Sequence, residues 1–328
     1  MELADVLDDA ALRDLASSFG VDSRDLAILY DGRNRVYSVA AGEPRVLKVI
    51  PSWVEEPALA EAEVDWVAWL HRRGAPVVRP YPTRQGGWVA RATSEGVELS
   101  ACLMERLRGD PMEGRGWTPP LIEDLGAVMG RLHALTRDYV PGVGAPRRPE
   151  WYEKDWLARP EKTLHPSQAA VIERCHRLRE ALMQLPRDGD AFGLIHDDLH
   201  TGNLGIRDGR ITVLDFECCH TTWLASDIAS ALLFAIWKVP STDADCAAEF
   251  ARAFLRHLMV GYRREHHLDA DWLRRLPLFL KLREMSLYVS SSYSGRDLTE
   301  ERDGEPLLAF WRHNIEQDVP YVRLDGPD

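Results

Sequence analysis

Residues 196–203, His-Asp-Asp-Leu-His-Thr-Gly-Asn, place two aspartates, two histidines and an asparagine in eight positions between apolar runs. His196 and His200 have the i, i+4 spacing of a zinc helix. The segment lacks H-E-x-x-H, however, and Thr201-Gly202-Asn203 follows where a helix should continue, so zinc is disfavoured. Twelve residues after Asn203 comes Asp215, in the run ITVLDFE. Between the two lies Asp208-Gly209, flanked by alternating apolar residues, which signals a two-residue hairpin turn. That register pairs Arg207 with Arg210 and Ile206 with Ile211, and sets Asn203 opposite Leu214, beside Asp215. An amide oxygen and a carboxylate then emerge at one open end of the hairpin, with Asp198 on the loop leading into it. A few hard oxygens suit Mg²⁺, which keeps waters and phosphate as its other ligands. The remaining carboxylate is placed to accept a proton from an attacking hydroxyl. Those are the parts of phosphoryl transfer.

HDDLHTGN followed by VLDFE resembles the catalytic loop and metal-binding segment of the aminoglycoside phosphotransferase and choline kinase-like family. These relatives of the protein kinases carry H-x-D-x-x-x-x-N and then an acid on the next strand. The resemblance implies that Asp198 is the catalytic base, that Asn203 and Asp215 bind Mg²⁺, and that His196 supports the loop. It implies that Lys48, in RVLKVI, contacts the phosphates of ATP or GTP, with Glu63 on the following helix as its partner and Glu61 as a rival. The hinge LMERLRGDP would hold the base through backbone groups of Glu105 and Leu107. The turn YDGRNRVYSV would cover phosphates through backbone N–H groups around Gly32 and Asn34. Asp227 matches an acid that supports the loop in relatives. LPLFLKLREMSLYVSS is similar to a late helix of the homoserine kinase-like and stress-response kinase-like subset. The likeness spans about 30–320.

The chain departs from the pattern in places. Many relatives carry glycine where it has Asp197; an inward carboxylate there would meet like charge, whereas an outward one would be solvated. Glu217 replaces the glycine of the protein-kinase D-F-G, and only Gly32 stands where G-x-G-x-x-G is common. Asp197, His200, Glu217, Trp223, Arg283 and Glu284 are candidates for an acceptor pocket, against ordinary readings as packing or ion pairs. Trp117, Trp151 and Trp156 fall in the same region. The cysteines at 218, 219 and 246 are expected to be buried small side chains, and His266-His267 a solvated helix end.

These residues need elements to hold them. A helical pattern within the first twenty residues is followed by three short strands, LAILY, RVYSVA and RVLKVI, with turn compositions between them. A helix over 55–74, closed by Gly74, leads to strands at GGWVAR and VELSACLME. Helical patterns then dominate: 118–137, 166–185, 226–238, 243–265, 269–292 and 305–317. The hairpin around Asp208-Gly209 is the one exception. The resemblance implies an α+β, two-lobe protein-kinase-like fold. Its sheet-rich nucleotide lobe would span 1–104, its hinge 105–110, and its helical lobe with the acceptor pocket 111–328.

Composition sets outer bounds. The 328 residues are 45% apolar and 28% charged, enough for a sizeable core. A net charge of -12 disfavours nucleic acid and anionic membrane as partners, while permitting a cationic substrate. No stretch reaches the ~18–20 apolar residues of a membrane span. Acids at the amino terminus and five cysteines without C-x-x-C point to the reduced cytoplasm. The expected activity is transfer of the γ-phosphate of ATP or GTP to a hydroxyl of a small molecule, an aminoglycoside-like antibiotic or an amino alcohol or sugar. The alternatives are a stress-response-type protein kinase and a silent nucleotide-binding scaffold.

Overall fold

A computed structural model describes residues 2–107, 109–142, 145–237, 244–294, 301–302 and 305–324. Arg108 of the expected hinge, and the expected helix limits at 238 and 243, lie outside the described residues. The chain begins with α1 (Leu3–Val6), α2 (Asp9–Ser18), β1 (Leu26–Asp31), β2 (Arg35–Val39), β3 (Arg45–Pro51) and α3 (Pro57–Arg72). Next come β4 (Pro80–Tyr81), β5 (Ala90–Ser94), β6 (Val97–Glu105), β7 (Asp110–Pro111), α4 (Pro119–Thr136), α5 (Asp155–Ala158), α6 (Pro160–Thr163) and α7 (Ala169–Met183). It continues through β8 (Phe192–Ile195), β9 (Leu204–Arg207), β10 (Arg210–Val213), β11 (His220–Trp223), α8 (Leu224–Trp237) and α9 (Ala244–Tyr262). The last helices are α10 (Ala270–Arg274), α11 (Leu276–Ser294) and α12 (Leu307–Glu316).

The residues form two compact units. The first comprises Met1–Pro111, Asp138–Arg148 and Leu204–Glu217; the second comprises Met112–Arg137, Pro149–Asn203 and Cys218–Asp328. In the first unit an antiparallel sheet runs β1-β2-β3-β6-β4, with β5 also paired to β6. Leu47 and Val49 of β3 and Leu99 and Ala101 of β6 are buried in a cluster with Leu3, Val6, Leu15, Ala16 and Phe19. The amino-terminal segment is therefore part of this unit's core. It forms two helices rather than one, because Asp8 caps a fresh start by accepting from the Ala11 N–H at 2.7 Å. The strand expected at GGWVAR begins only at Ala90, after a turn in which Gly86 takes φ +94°. The β9–β10 hairpin has the expected register, Arg207 with Arg210 and Ile206 with Ile211. Its turn residues Asp208 (φ +51°) and Gly209 (φ +74°) have the positive φ pair that such a turn requires.

Helices make up most of the second unit. The backbones of α4 and α9 approach so closely that a Cβ on Gly126 would strike the Leu258 carbonyl, and one on Gly261 that of Glu123. An unexpected ribbon pairs β8 with β11, Ile195 opposite His220 and Phe192 opposite Trp223. Four-residue strands with 24 residues between them give no turn signal, so pattern reading passes over them. The helix expected over 269–292 is two, broken at Arg275 just before Pro277 in the first turn of α11. His266 is not solvated: it is 8% exposed and bonds to the Asp190 carbonyl at 3.1 Å. Burial lowers its pKa. Cys219 is buried as expected, but Cys246 is exposed. Among the described residues no helix is long and apolar enough to cross a membrane.

Candidate active site

In the second unit the chain leaves β8 at Ile195 and enters the loop 196–203, which ends in a single 3-10 turn, Thr201–Asn203. Asp227, on the first turn of α8 and wholly buried, holds the start of this loop. Its carboxylate accepts from the backbone N–H of His196 at 3.1 Å and of Asp197 at 2.6 Å. Its third partner is His133 Nε2 at 3.0 Å, and His133 Nδ1 meets the Tyr262 hydroxyl at 2.8 Å. Asp197 has φ +63°, a left-handed backbone that aspartate tolerates better than most side chains. With Asp197 so bent, successive side chains of the loop diverge.

Asp198 is gripped from both sides. Its Oδ1 pairs with the Arg283 guanidinium of α11, and its Oδ2 lies 3.1 Å from Asn203 Nδ2. The Asn203 amide nitrogen also donates to the Asp198 carbonyl at 3.0 Å. With its nitrogen so engaged, Asn203 keeps its amide oxygen for another partner, and a hard cation suits that donor. Burial alone would raise the Asp198 pKa; Arg283, with His200, more than offsets this and holds it well below the usual carboxylate range. The two histidines serve the loop. His196 Nδ1 accepts from the Asp198 N–H at 3.2 Å, and His200 Nδ1 from the Gly202 N–H at 3.0 Å. His200 also packs edge-on to Phe234, with Nε2 3.4 Å from Asp198 Oδ2.

Asp197 is turned inward and 6% exposed. Burial raises its pKa, Arg283 and Lys154 oppose this, and the neighbouring acids Asp227 and Asp198 add to the rise. Two residues proposed from sequence for an acceptor pocket lie elsewhere. Trp223 is core: it stacks among Trp151, Phe192 and Phe279, and its indole donates to the Pro186 carbonyl at 2.7 Å. Glu284 is fully buried and bound to Lys281 at 2.6 Å and Asn314 at 3.1 Å. It faces away from its neighbour Arg283 because adjacent helix positions point about 100° apart.

The first unit carries its own charged cluster. Lys48 projects from β3, where it stands opposite Val36 and Cys102. Its ammonium bonds to Asp215 Oδ1 at 2.9 Å and Glu217 Oε2 at 2.8 Å. Burial would lower its pKa, but Asp215, Glu217 and Glu63 raise it well above normal. Glu217, expected beside the acceptor, instead braces Lys48 and accepts from Asn34 Nδ2 at 3.3 Å. A carboxylate fits where D-F-G has glycine because the lysine ammonium neutralises it.

Asp215 has φ +60° and keeps Oδ2 beyond its bond to Lys48. Glu63 lies within electrostatic range of Lys48 without a direct hydrogen bond. Burial raises its pKa to about 8; Lys48 pulls the other way, and Glu55 adds to the rise. Glu61 is committed elsewhere, accepting from the Trp88 N–H at 3.1 Å. In the hinge the Glu105 N–H donates to the Arg79 carbonyl at 2.7 Å, and Leu107 covers Gly205. The Gly32 N–H is bound to the Asn34 carbonyl at 3.0 Å.

Sequence reading passed over Arg148, which joins Glu55 (2.5 Å), the Leu59 carbonyl (3.1 Å) and the Glu217 carbonyl (2.6 Å). It also passed over Lys154 and His220, which lie 3.8 and 3.6 Å from Asp197 Oδ2. No local pattern marks these residues, since their partners are tens of residues away.

A model of the phosphotransferase enzyme family matches residues 27–268. The amicoumacin kinase of Bacillus subtilis (strain 168) is 30% identical over 322 residues, 97% of this chain and 95% of that protein. Among solved structures, an amicoumacin kinase in complex with AMP-PNP, Ca²⁺ and Ami has a TM-score of 0.88 at 30% identity, covering 97% of this chain and 96% of its own. A microcompartment-associated aminopropanol kinase has a TM-score of 0.74 at 20% identity, covering 97% and 100%.

Proposed function

Because the chain belongs to the phosphotransferase enzyme family, we propose that it moves the γ-phosphate of ATP to a hydroxyl of a small molecule, an antibiotic or an amino alcohol. The observation that carries this reading is the placement of Asp198: a carboxylate fixed by Arg283 and Asn203, on a loop anchored through Asp227. Asp198 accepts the hydrogen bond of the incoming hydroxyl and orients its oxygen. As the new O–P bond forms and the bridge to the β-phosphate breaks, the hydroxyl proton passes to Asp198. A carboxylate held by Arg283 acts by orienting rather than by early proton removal, which suits the loose transition state of phosphoryl transfer.

Lys48, held by Asp215 and Glu217, is a fixed positive charge for the nucleotide phosphates. The amide oxygen of Asn203 and Oδ2 of Asp215 are the donors we assign to Mg²⁺. That ion, when bound, neutralises phosphate charge. A nucleotide analogue and a divalent ion in the amicoumacin kinase complex support both assignments. We assign nucleotide binding to 1–104 with the hinge at 105–110, acceptor binding to 111–328, and the cytoplasm as location.

The test is turnover with ATP and GTP, separately, against a panel of antibiotics, amino alcohols and sugars, for the wild type and Asp198→Asn. The variant should lose at least ~100-fold in kcat while keeping its nucleotide-dependent thermal shift. Equal turnover in both proteins would refute the assignment.

A further inference from the structure

Arg148 is bonded to both pieces of chain that carry the acids around Lys48. It ends the segment 138–148, which follows α4 but belongs to the first unit. That segment is pinned to α3 at both ends. Near its start the Tyr139 hydroxyl donates to Asp65 Oδ2 at 2.8 Å, and its ring meets Trp69 edge-on at 5.5 Å. At its end the Arg148 guanidinium, 8% exposed, reaches three acceptors. Nη1 donates to Glu55 Oε1 at 2.5 Å and to the Leu59 carbonyl at 3.1 Å, and Nη2 donates to the Glu217 carbonyl at 2.6 Å.

Two of those acceptors are backbone, and a bond to a carbonyl fixes the chain rather than one side chain. Leu59 stands one helical turn before Glu63, on the same face of α3. Lys48 lies in the field of Asp215, Glu217 and Glu63. The first two of these acids ride on the chain after β10 and the third on α3, so the planar guanidinium fork holds the two pieces at a set separation. Glu55 has a different part. Its Oε2 is buried without a partner among the described residues, and its Oε1 supplies the counter-charge that offsets the cost of burying a cation.

We infer that Arg148 is a positioning residue for phosphotransfer: by joining the Leu59 and Glu217 carbonyls it keeps α3 and residues 215–217 in the register at which Lys48 and Asp215 meet the nucleotide phosphates and their metal. The inference rests on the phosphotransfer reading above and deepens it by naming what holds the phosphate-binding groups together.

Four variants separate this role from that of a plain buried ion pair: Arg148→Lys, Arg148→Met, Glu55→Gln, and Glu55→Gln combined with Arg148→Met. Calorimetry gives the Kd of ATP with Mg²⁺, steady-state assays give half-saturating Mg²⁺ and both KM values, and thermal melts give stability. Arg148→Lys keeps the charge beside Glu55, but one ammonium cannot span both carbonyls; the ATP Kd and half-saturating Mg²⁺ should each rise about tenfold, with KM for the acceptor unchanged. Glu55→Gln keeps an acceptor for Nη1 and both carbonyl bonds, so it should bind ATP as the wild type does. Arg148→Met strands a buried carboxylate and should melt early. The double variant removes that charge. It should melt above Arg148→Met yet bind ATP as weakly as Arg148→Lys, whereas a plain ion pair would regain stability and binding together.

The inference is overturned if Arg148→Lys binds ATP with wild-type affinity, if Glu55→Gln weakens binding as much as Arg148→Lys does, or if the double variant recovers wild-type binding. Asp198→Asn, run alongside, separates the two levels. Undiminished transfer in that variant overturns the phosphotransfer reading itself. Its loss, with ATP binding unchanged in Arg148→Lys, overturns only the inference about Arg148.

Discussion

Asp227→Ala removes a single carboxylate on which three bonds converge: the N–H groups of His196 and Asp197 and the His133 ring nitrogen, at 3.1, 2.6 and 3.0 Å. The site is fully buried, so water cannot replace the lost oxygen atoms without a cavity large enough to admit it. Each buried donor left unmet costs about 1–3 kcal/mol, so three together destabilise by about 3–9 kcal/mol. Against a total stability of about 5–15 kcal/mol, that is a large fraction. At roughly 2–4 °C per kcal/mol, the melting temperature should fall by about 6 °C or more. Asp227→Asn keeps one acceptor oxygen but presents an NH₂ to the second N–H, so its loss should be about half as large. Phosphotransfer should decline in both, because the loop carrying Asp198 loses its anchor. Urea denaturation and thermal melts, alongside kcat measured well below the melting range, give the two readouts. An Asp227→Ala protein within about 1 kcal/mol of the wild type and fully active would refute the anchoring argument.

Glu63 titrates with a folded pKa near 8, above its unfolded value, so folding takes up a proton between those two values. Stability should therefore be greatest below the unfolded pKa and decline as pH rises to about 8. In Glu63→Gln that slope should vanish in urea midpoints taken from pH 5 to 8.5. Lys48→Met leaves Asp215 and Glu217 facing one another without their cation; kcat/KM for ATP should drop by at least about tenfold in steady-state assays. Gly261→Ala drives a methyl into the Glu123 carbonyl and forces α4 and α9 apart; calorimetry should show a loss of about 1–3 kcal/mol or more. An unchanged melt would mean that the helix pair adjusts freely.

Features written locally were readable in the chain. Asp208-Gly209 announced its turn and thereby the register of β9 and β10, and the stretch VELSACLME marked β6 to the residue. The order of Asp198, Asn203 and Asp215 identified the loop and hairpin that carry them. What escaped reading depends on partners distant in sequence. The β8–β11 ribbon forms because two weak segments meet in the fold, not because either one is strongly strand-forming. Trp223 could not be told from a pocket aromatic until its neighbours Trp151, Phe192 and Phe279 were placed. Glu217 looked like an acceptor-site acid, since nothing near it in the chain indicates that Lys48, 169 residues earlier, claims its carboxylate. Arg148 and Lys154 lie in a stretch with little periodicity, and only packing gives them meaning.

The left-handed backbone at position 197 has an evolutionary corollary. Few side chains settle there comfortably: glycine without strain, asparagine and aspartate at modest cost, branched ones hardly at all. Those three permitted residues are respectively absent, neutral and negative in what they present to the space beside the loop. Drift among them would change the charge next to Asp198 while the polypeptide keeps its shape.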